Sequence, residues 1–175
     1  MDNTAYFNDL LARSEELFYH ELSDCAGWKT EFSGIDFIQS KDIQGKTPEE
    51  IIENCIREIS AAGLIQEASY SIGGNNILLY MKVTGCIHVP KEARLIQIGI
   101  KPYNCPIINM ILDQLIEKLH FETTYVADLE VDVVKKSCHI KCAVFQTPEQ
   151  IGNVCDWSDE CRLIDEDQKW KTVVC

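Results

Sequence analysis

Basic residues are scarce in this 175-residue chain: 16 Lys and Arg stand against 28 Asp and Glu, a formal charge of −12 at pH 7. Such a field repels phosphate backbones, and no Lys/Arg stripe interleaved with aromatics offsets it. Nucleic acid is therefore not expected as a partner, and anionic membrane surfaces are disfavoured. No window approaches the ~18 uninterrupted apolar residues of a membrane span, so no membrane insertion is expected. The opening Met1-Asp2-Asn3-Thr4 has no basic stretch followed by an apolar one, as a secretory leader would, and the expected location is cytoplasmic. The motifs G-x-x-x-x-G-K, G-x-G-x-x-G, H-E-x-x-H and G-x-S-x-G are also missing, which removes the usual signatures of phosphate cradles, dinucleotide sites, zinc proteases and nucleophile elbows. Small molecules, cations or other proteins remain.

Cysteine, by contrast, is plentiful at nine residues. Reducing compartments keep thiols free, and an odd count argues against a closed disulfide framework, so metal or redox chemistry comes forward. With 46% of its residues hydrophobic, the chain can build a core without covalent staples. A single free cysteine is as readily a small core residue as a functional one, and only clusters point to chemistry.

Phe7, Leu10, Leu11, Leu17 and Phe18 recur at helical spacing behind Asn3 or Thr4 as a cap, which predicts a helix to about Leu22 with one apolar face. Residues 23–46 are loosely patterned around Gly27, Gly34 and Gly45, with Phe37-Ile38 as a short strand or buried turn. Thr47-Pro48-Glu49-Glu50 reads as a capping box opening a helix that buries Ile52, Cys55, Ile56 and Ile59 and ends at Gly63. Leu64–Ile72 and Ile77–Cys86 read as a hairpin around Gly73-Gly74-Asn75-Asn76. Cys105-Pro106 opens an apolar helix ending near His120. Thr123–Val133 alternates Tyr125, Ala127, Leu129 and Val131 against Asp128, Glu130 and Asp132, and turns through Lys135-Lys136-Ser137 into a strand from Cys138 to Phe145. A short helix after Thr147-Pro148-Glu149-Gln150 and an acidic tail with Cys155, Cys161 and Cys175 complete the chain. The expected fold is α+β: a single domain with an antiparallel sheet from two hairpins packed against several helices. Within it, residues 1–46 hold the first helix and an irregular segment, 47–145 the ligand-binding core, and 146–175 the short helix and tail.

Two clusters could carry chemistry. Cys86 and His88, two apart on an extended segment, point to one side, and with Cys105 they offer soft sulfur and imidazole to zinc or iron. Their alternative is packing. Cys138 and Cys142 share a strand face, with His139 on the other, but four residues at ~3.3 Å each separate them too far for one tetrahedral metal without a bulge. Cys105 sits where a helix N-terminus supplies N–H donors and a positive dipole, which predicts a lowered thiol pKa. Cys155 and Cys161, spaced C-x5-C, are a weak metal signal beside the acidic loop they occupy.

From Ile65 to about Phe145, the strand pair, the cysteine opening a long apolar helix, the acidic residue and the cysteine on the last hairpin make the chain resemble the 4-vinyl-reductase-type (hydrocarbon-binding) domain. That domain is related to trafficking-complex subunits and haem nitric-oxide sensors. Cys105, the helix from Ile107 to Leu119, Asp128 or Glu130, and Cys138 carry the resemblance. It implies a zinc (or iron) site of Cys105, Asp128 and Cys138, completed by Cys86, His88, Cys142 or solvent. It also implies a chamber for an apolar or aromatic molecule walled by Ile108, Leu112, Leu115, Tyr80 and Tyr125, and a homodimer. The chain departs from the pattern at Val131, where a further cysteine would follow the acid, and at Lys135-Lys136-Ser137, where a glycine-aspartate turn is usual. Cys86, Cys105 and Cys138 also resemble the cysteine spacing of thiazoline-carboxylate hydrolase-like proteins. That implies an enzyme working through a metal or a Cys105 thiolate, with His88 or His139 as base. A structural subunit or adaptor, with the acidic stretch Asp159–Asp167 as its tail, is a third expectation; the catalytic residues stay open.

Overall fold

The computed structural model describes residues 3–23, 26–73, 78–147 and 171–173. In chain order the elements are α1 (Asn3–Leu22), α2 (Ala26–Thr30), α3 (Ile35–Gln39), α4 (Pro48–Ala61), β1 (Glu67–Gly73), β2 (Leu78–Thr84), α5 (Val89–Gln97), α6 (Pro106–Leu119), β3 (Thr123–Asp132), β4 (Ser137–Phe145) and β5 (Lys171–Val173). The strands form one sheet in the order β3-β4-β2-β1-β5, every neighbouring pair antiparallel. Both expected hairpins are present, and the α+β class follows.

Local chemistry explains the helices that position the site. Thr47 caps α4 by accepting from the Glu50 N–H at 3.3 Å, while the Glu50 carboxylate takes the Lys46 N–H at 2.7 Å. Gly63, at φ +73°, carries the chain away from its end. Pro106 occupies the first turn of α6 behind Cys105, and His120 closes it in a left-handed conformation. α5 lies in a stretch to which the sequence assigned no element, although Pro90 in its first turn is the signal that starts it.

Strand alternation selects the core. Leu79, Met81 and Val83 of β2 and Cys138, Ile140, Cys142 and Val144 of β4 share a cluster with Ile52, Cys55, Ile56 and Ile59 of α4 and Ile108, Ile111, Leu112 and Leu115 of α6. Burying each large aliphatic side chain contributes roughly 1.5–3 kcal/mol. Leu78, Tyr80, Ala143 and Phe145 make a separate small cluster, as alternation requires of residues on the opposite sheet face. In β3, Val126 pairs with Cys142 and Leu129 with Ile140, so a bulge between Val126 and Asp128 holds one residue too many. The alternation expected there is corrected accordingly. Tyr125 pairs with Ala143, and Val126 packs against the core.

α1 also departs from expectation. Its buried residues are Asn8, Ala12 and Glu15, while Tyr6, Phe7, Leu10, Leu17 and Phe18 face solvent. Hydrogen bonds explain the inversion. Asn8 Nδ2 donates to the Ile87 carbonyl at 3.1 Å, Glu15 receives Lys91 of α5, and Tyr103 Oη donates to the Glu15 carbonyl at 2.7 Å. The turn at Gly74–Ile77, the short helix expected after Thr147, and Cys155, Cys161 and Cys175 lie outside the described residues.

Candidate functional site: a cleft at the start of the sixth helix

α3 can lie close on α6 because Gly34, at φ +89°, caps it without a side chain: a Cβ there would stand 3.1 Å from Met110 Cγ and 3.2 Å from the Pro106 carbonyl. Between the two helices and the first residues of β3 opens a cleft of about 490 Å³. One wall is α6, with Cys105, Asn109, Leu112, Asp113 and Ile116. Glu31, Phe32 and Ile35 form the facing wall, Thr124 and Val126 the strand side, and Tyr103 and Asn104 one end. The lining is apolar at Leu112, Ile116, Val126, Phe32 and Ile35, with the acids Glu31, Asp113 and Glu122 beside them and no Lys or Arg among the described lining residues.

Behind the cleft lies a buried polar network. Lys91, whose side chain has 0% exposure, reaches Glu15 at 2.7 Å and Glu92 at 2.6 Å. It also donates to the Asn104 carbonyl at 3.2 Å. Asn104 Nδ2 donates to Glu15 at 3.0 Å, and Asn104 Oδ1 accepts from Asn109 Nδ2 at 2.9 Å. The network thus runs from α1 and α5 to the side chains at the cleft end. Two carboxylates share one ammonium. Glu15 accepts from Lys91 through both oxygens and from Asn104 besides, whereas Glu92 Oε2 has no partner among the described residues. Burial pushes the Glu92 carboxyl up to about 7, and Lys91 only partly restrains it. Burial alone would lower the Lys91 ammonium, but Glu92 and Glu15 outweigh it and hold it above its ordinary value.

The thiols are electrostatic neighbours of this network. Burial pushes the Cys105 thiol up to about 12, a nearby Cys86 adds to the rise, and the Ile108 N–H pulls only weakly the other way. Cys138 is raised by burial and by Cys105 and Cys86, Cys142 by burial and by Cys105, and Cys86 by burial first. The lowered thiol pKa expected of Cys105 is therefore overturned: desolvation outweighs the helix N-terminus. His88 Nδ1 lies 3.7 Å from Cys86 Sγ, and burial, with Lys91 nearby, holds its imidazole down to about 4.

The expected metal centre is corrected. Among the described residues no three His, Cys, Asp or Glu side chains come together in a group that could hold a metal ion, which overturns the expected zinc or iron site. Cys105, Cys138 and Cys86 are all buried in the main core, as free thiols. Asp128 is turned to other use, taking Lys101 in an ion pair at 2.9 Å and pairing in register with Lys141, on the sheet face away from Cys138. His88 caps α5 next to Cys86. Of the residues expected to wall a ligand, Leu112 lines the cleft; Ile108 and Leu115 lie in the core behind it. Tyr80 belongs to the other sheet face, and of Tyr125 only the backbone register is described.

Sequence reading missed Lys91, Glu92, Glu15 and Asn104. The available signals were Pro90 starting a helix that carries Lys91-Glu92, and a Glu at helical spacing from Asn8 and Ala12. No family model, curated protein or solved structure matches this chain. No helix among the described residues is long and apolar enough to cross a membrane.

Proposed function

We propose that this protein is a small-molecule-binding domain that takes its ligand in the cleft between α6, the start of β3 and the α2–α3 segment. The observation that carries the reading is the cleft itself, about 490 Å³, within the roughly 300–1,000 Å³ of ligand sites. Leu112, Ile116 and Val126 suit an apolar or aromatic body. Glu31, Asp113 and Glu122, with no cation in the described lining, favour a neutral or positively charged ligand, since a desolvated anion would meet only like charge. The resemblance to the 4-vinyl-reductase-type domain supports the same reading through the order of elements on which it rests. The raised Cys105 thiol weighs against the thiolate-hydrolase alternative, because a nucleophile must ionise near neutral pH. Self-association into a homodimer is part of the proposal, though ligand binding does not require it.

Titration of the full chain with Nile red, a neutral apolar fluorophore, and with an anionic naphthalene sulfonate tests the reading. Nile red should bind in preference to the sulfonate, and Ile116→Trp, which fills the cleft from a half-buried position, should abolish that binding while circular dichroism stays unchanged. Equal Nile red binding by the wild type and the filled variant would sink the cleft reading and leave the structural-subunit reading ahead.

A further inference from the structure

We propose that the solvent-facing apolar stripe of α1 is a homodimer interface, in which two copies of α1 pack antiparallel across a two-fold axis near Ala12 and Arg13. The inference rests on the homodimer part of the reading above and supplies its surface and symmetry; it is independent of the cleft.

α1 spends its inward face on Asn8, Ala12 and Glu15. Six large apolar side chains, Tyr6, Phe7, Leu10, Leu11, Leu17 and Phe18, are left 39–63% exposed on one helix, while Tyr19 turns toward Tyr103 of its own chain, 6.2 Å between ring centroids. Helical spacing joins Phe7, Leu10, Leu11, Ser14, Leu17 and Phe18 into a continuous stripe. An ordinary surface helix points such a stripe at its own core, so this one is matched to a surface outside the protomer.

The stripe is self-complementary. Phe7 at one end is mirrored by Phe18 at the other. An antiparallel pair centred between residues 12 and 13 sets Phe7 against the partner's Phe18 and Leu11 over the small Ser14 of the other copy. That reciprocity is what an isologous interface requires. Ser14 brings no free donor into the contact, because its hydroxyl donates to the Leu10 carbonyl at 3.0 Å. The charges within the helix are already paired in their own chain: Arg13 with Glu16 at 2.7 Å, and Asp9 with Arg94.

The area is adequate. Aromatic side chains bury ~150–250 Å² each, so six large side chains about half exposed supply several hundred Å², on the order of the ~800 Å² per partner of a standard interface. A lipid surface is the less favoured occupant, because the chain's charge of −12 repels anionic bilayers.

Sedimentation equilibrium of the full chain tests the proposal. The wild type should run near twice its 19.9 kDa mass, and more firmly as salt screens the repulsion between acidic protomers. Phe7→Lys or Phe18→Glu alone should weaken self-association by about 30-fold or more, the effect of losing an aromatic hot spot, with the circular dichroism spectrum unchanged because both positions are on the surface. Mixing the two variants should restore the dimer, since antiparallel pairing sets the new Lys against the new Glu and keeps one Phe–Phe pair. A dimer that survives both single substitutions would overturn this interface while leaving the homodimer reading standing. Failure of the mixture to rescue would overturn the antiparallel arrangement. A wild type that stays monomeric at its highest soluble concentration would overturn interface and homodimer together, and binding of that monomer to neutral phosphatidylcholine vesicles would assign the stripe to lipid.

Discussion

Lys91 and Glu15 stand 76 positions apart in the chain and meet at 2.7 and 2.8 Å in the interior, so one ammonium ties α1 to α5. Lys91→Met should leave Glu15 and Glu92 buried against each other without a counter-ion and cost about 3–5 kcal/mol. Equilibrium unfolding in urea near neutral pH measures this. A loss within error of zero would mean that α1 is held by other contacts.

Glu92 should make stability fall as pH rises. A carboxyl moved from 4.5 to about 7 on folding binds more protons folded than unfolded, so its contribution is complete below pH 4.5 and is lost as pH rises through about 7. At about 1.4 kcal/mol per unit the effect reaches about 3 kcal/mol. Glu92→Gln, which keeps Lys91 paired with Glu15, should therefore gain on the wild type as pH rises from about 4.5 to about 7 and hold that gain above it. Parallel stability–pH curves for the two proteins would show that Glu92 is ionised throughout.

His88 acts in the opposite direction at acid pH. Its imidazole falls from 6.5 to about 4 on folding, so the contribution is present above pH 6.5 and is lost as pH drops through about 4. His88→Gln should flatten the acid limb of the stability curve. The nuclear magnetic resonance titration of the His88 ring gives the same answer directly, and an ordinary midpoint there would contradict the burial argument.

Cys55, Cys86, Cys105, Cys138 and Cys142 are buried and free. Alkylation of the native protein at mildly alkaline pH, mapped by peptide mass spectrometry, should label these five only after unfolding, because a raised pKa and steric exclusion act together. Rapid native labelling of Cys105 would restore it as a nucleophile.

Gly34→Ala should cost about 1–2 kcal/mol through its left-handed backbone and should also widen the cleft, since the new methyl meets Met110 and the Pro106 carbonyl. Thermal unfolding reads the first effect and Nile red affinity the second.

Periodicity and capping determined the elements that rest on local chemistry. Thr47, Pro48 and Glu50 start α4, and Ile52, Cys55, Ile56 and Ile59 mark its buried face. Cys105-Pro106 starts α6, and the two hairpins come from alternation. These depend on residues within a few positions of one another, so the chain itself carries them. Only the tertiary structure decided the rest. Which face of α1 turns inward depended on Ile87 and Lys91 accepting or supplying partners from far along the sequence. The phase of β3 depended on a bulge set by its register with β4. The state of the thiols depended on desolvation, which composition does not contain: Cys86, Cys105 and Cys138 all enter the core, and packing there removes the water a thiolate needs.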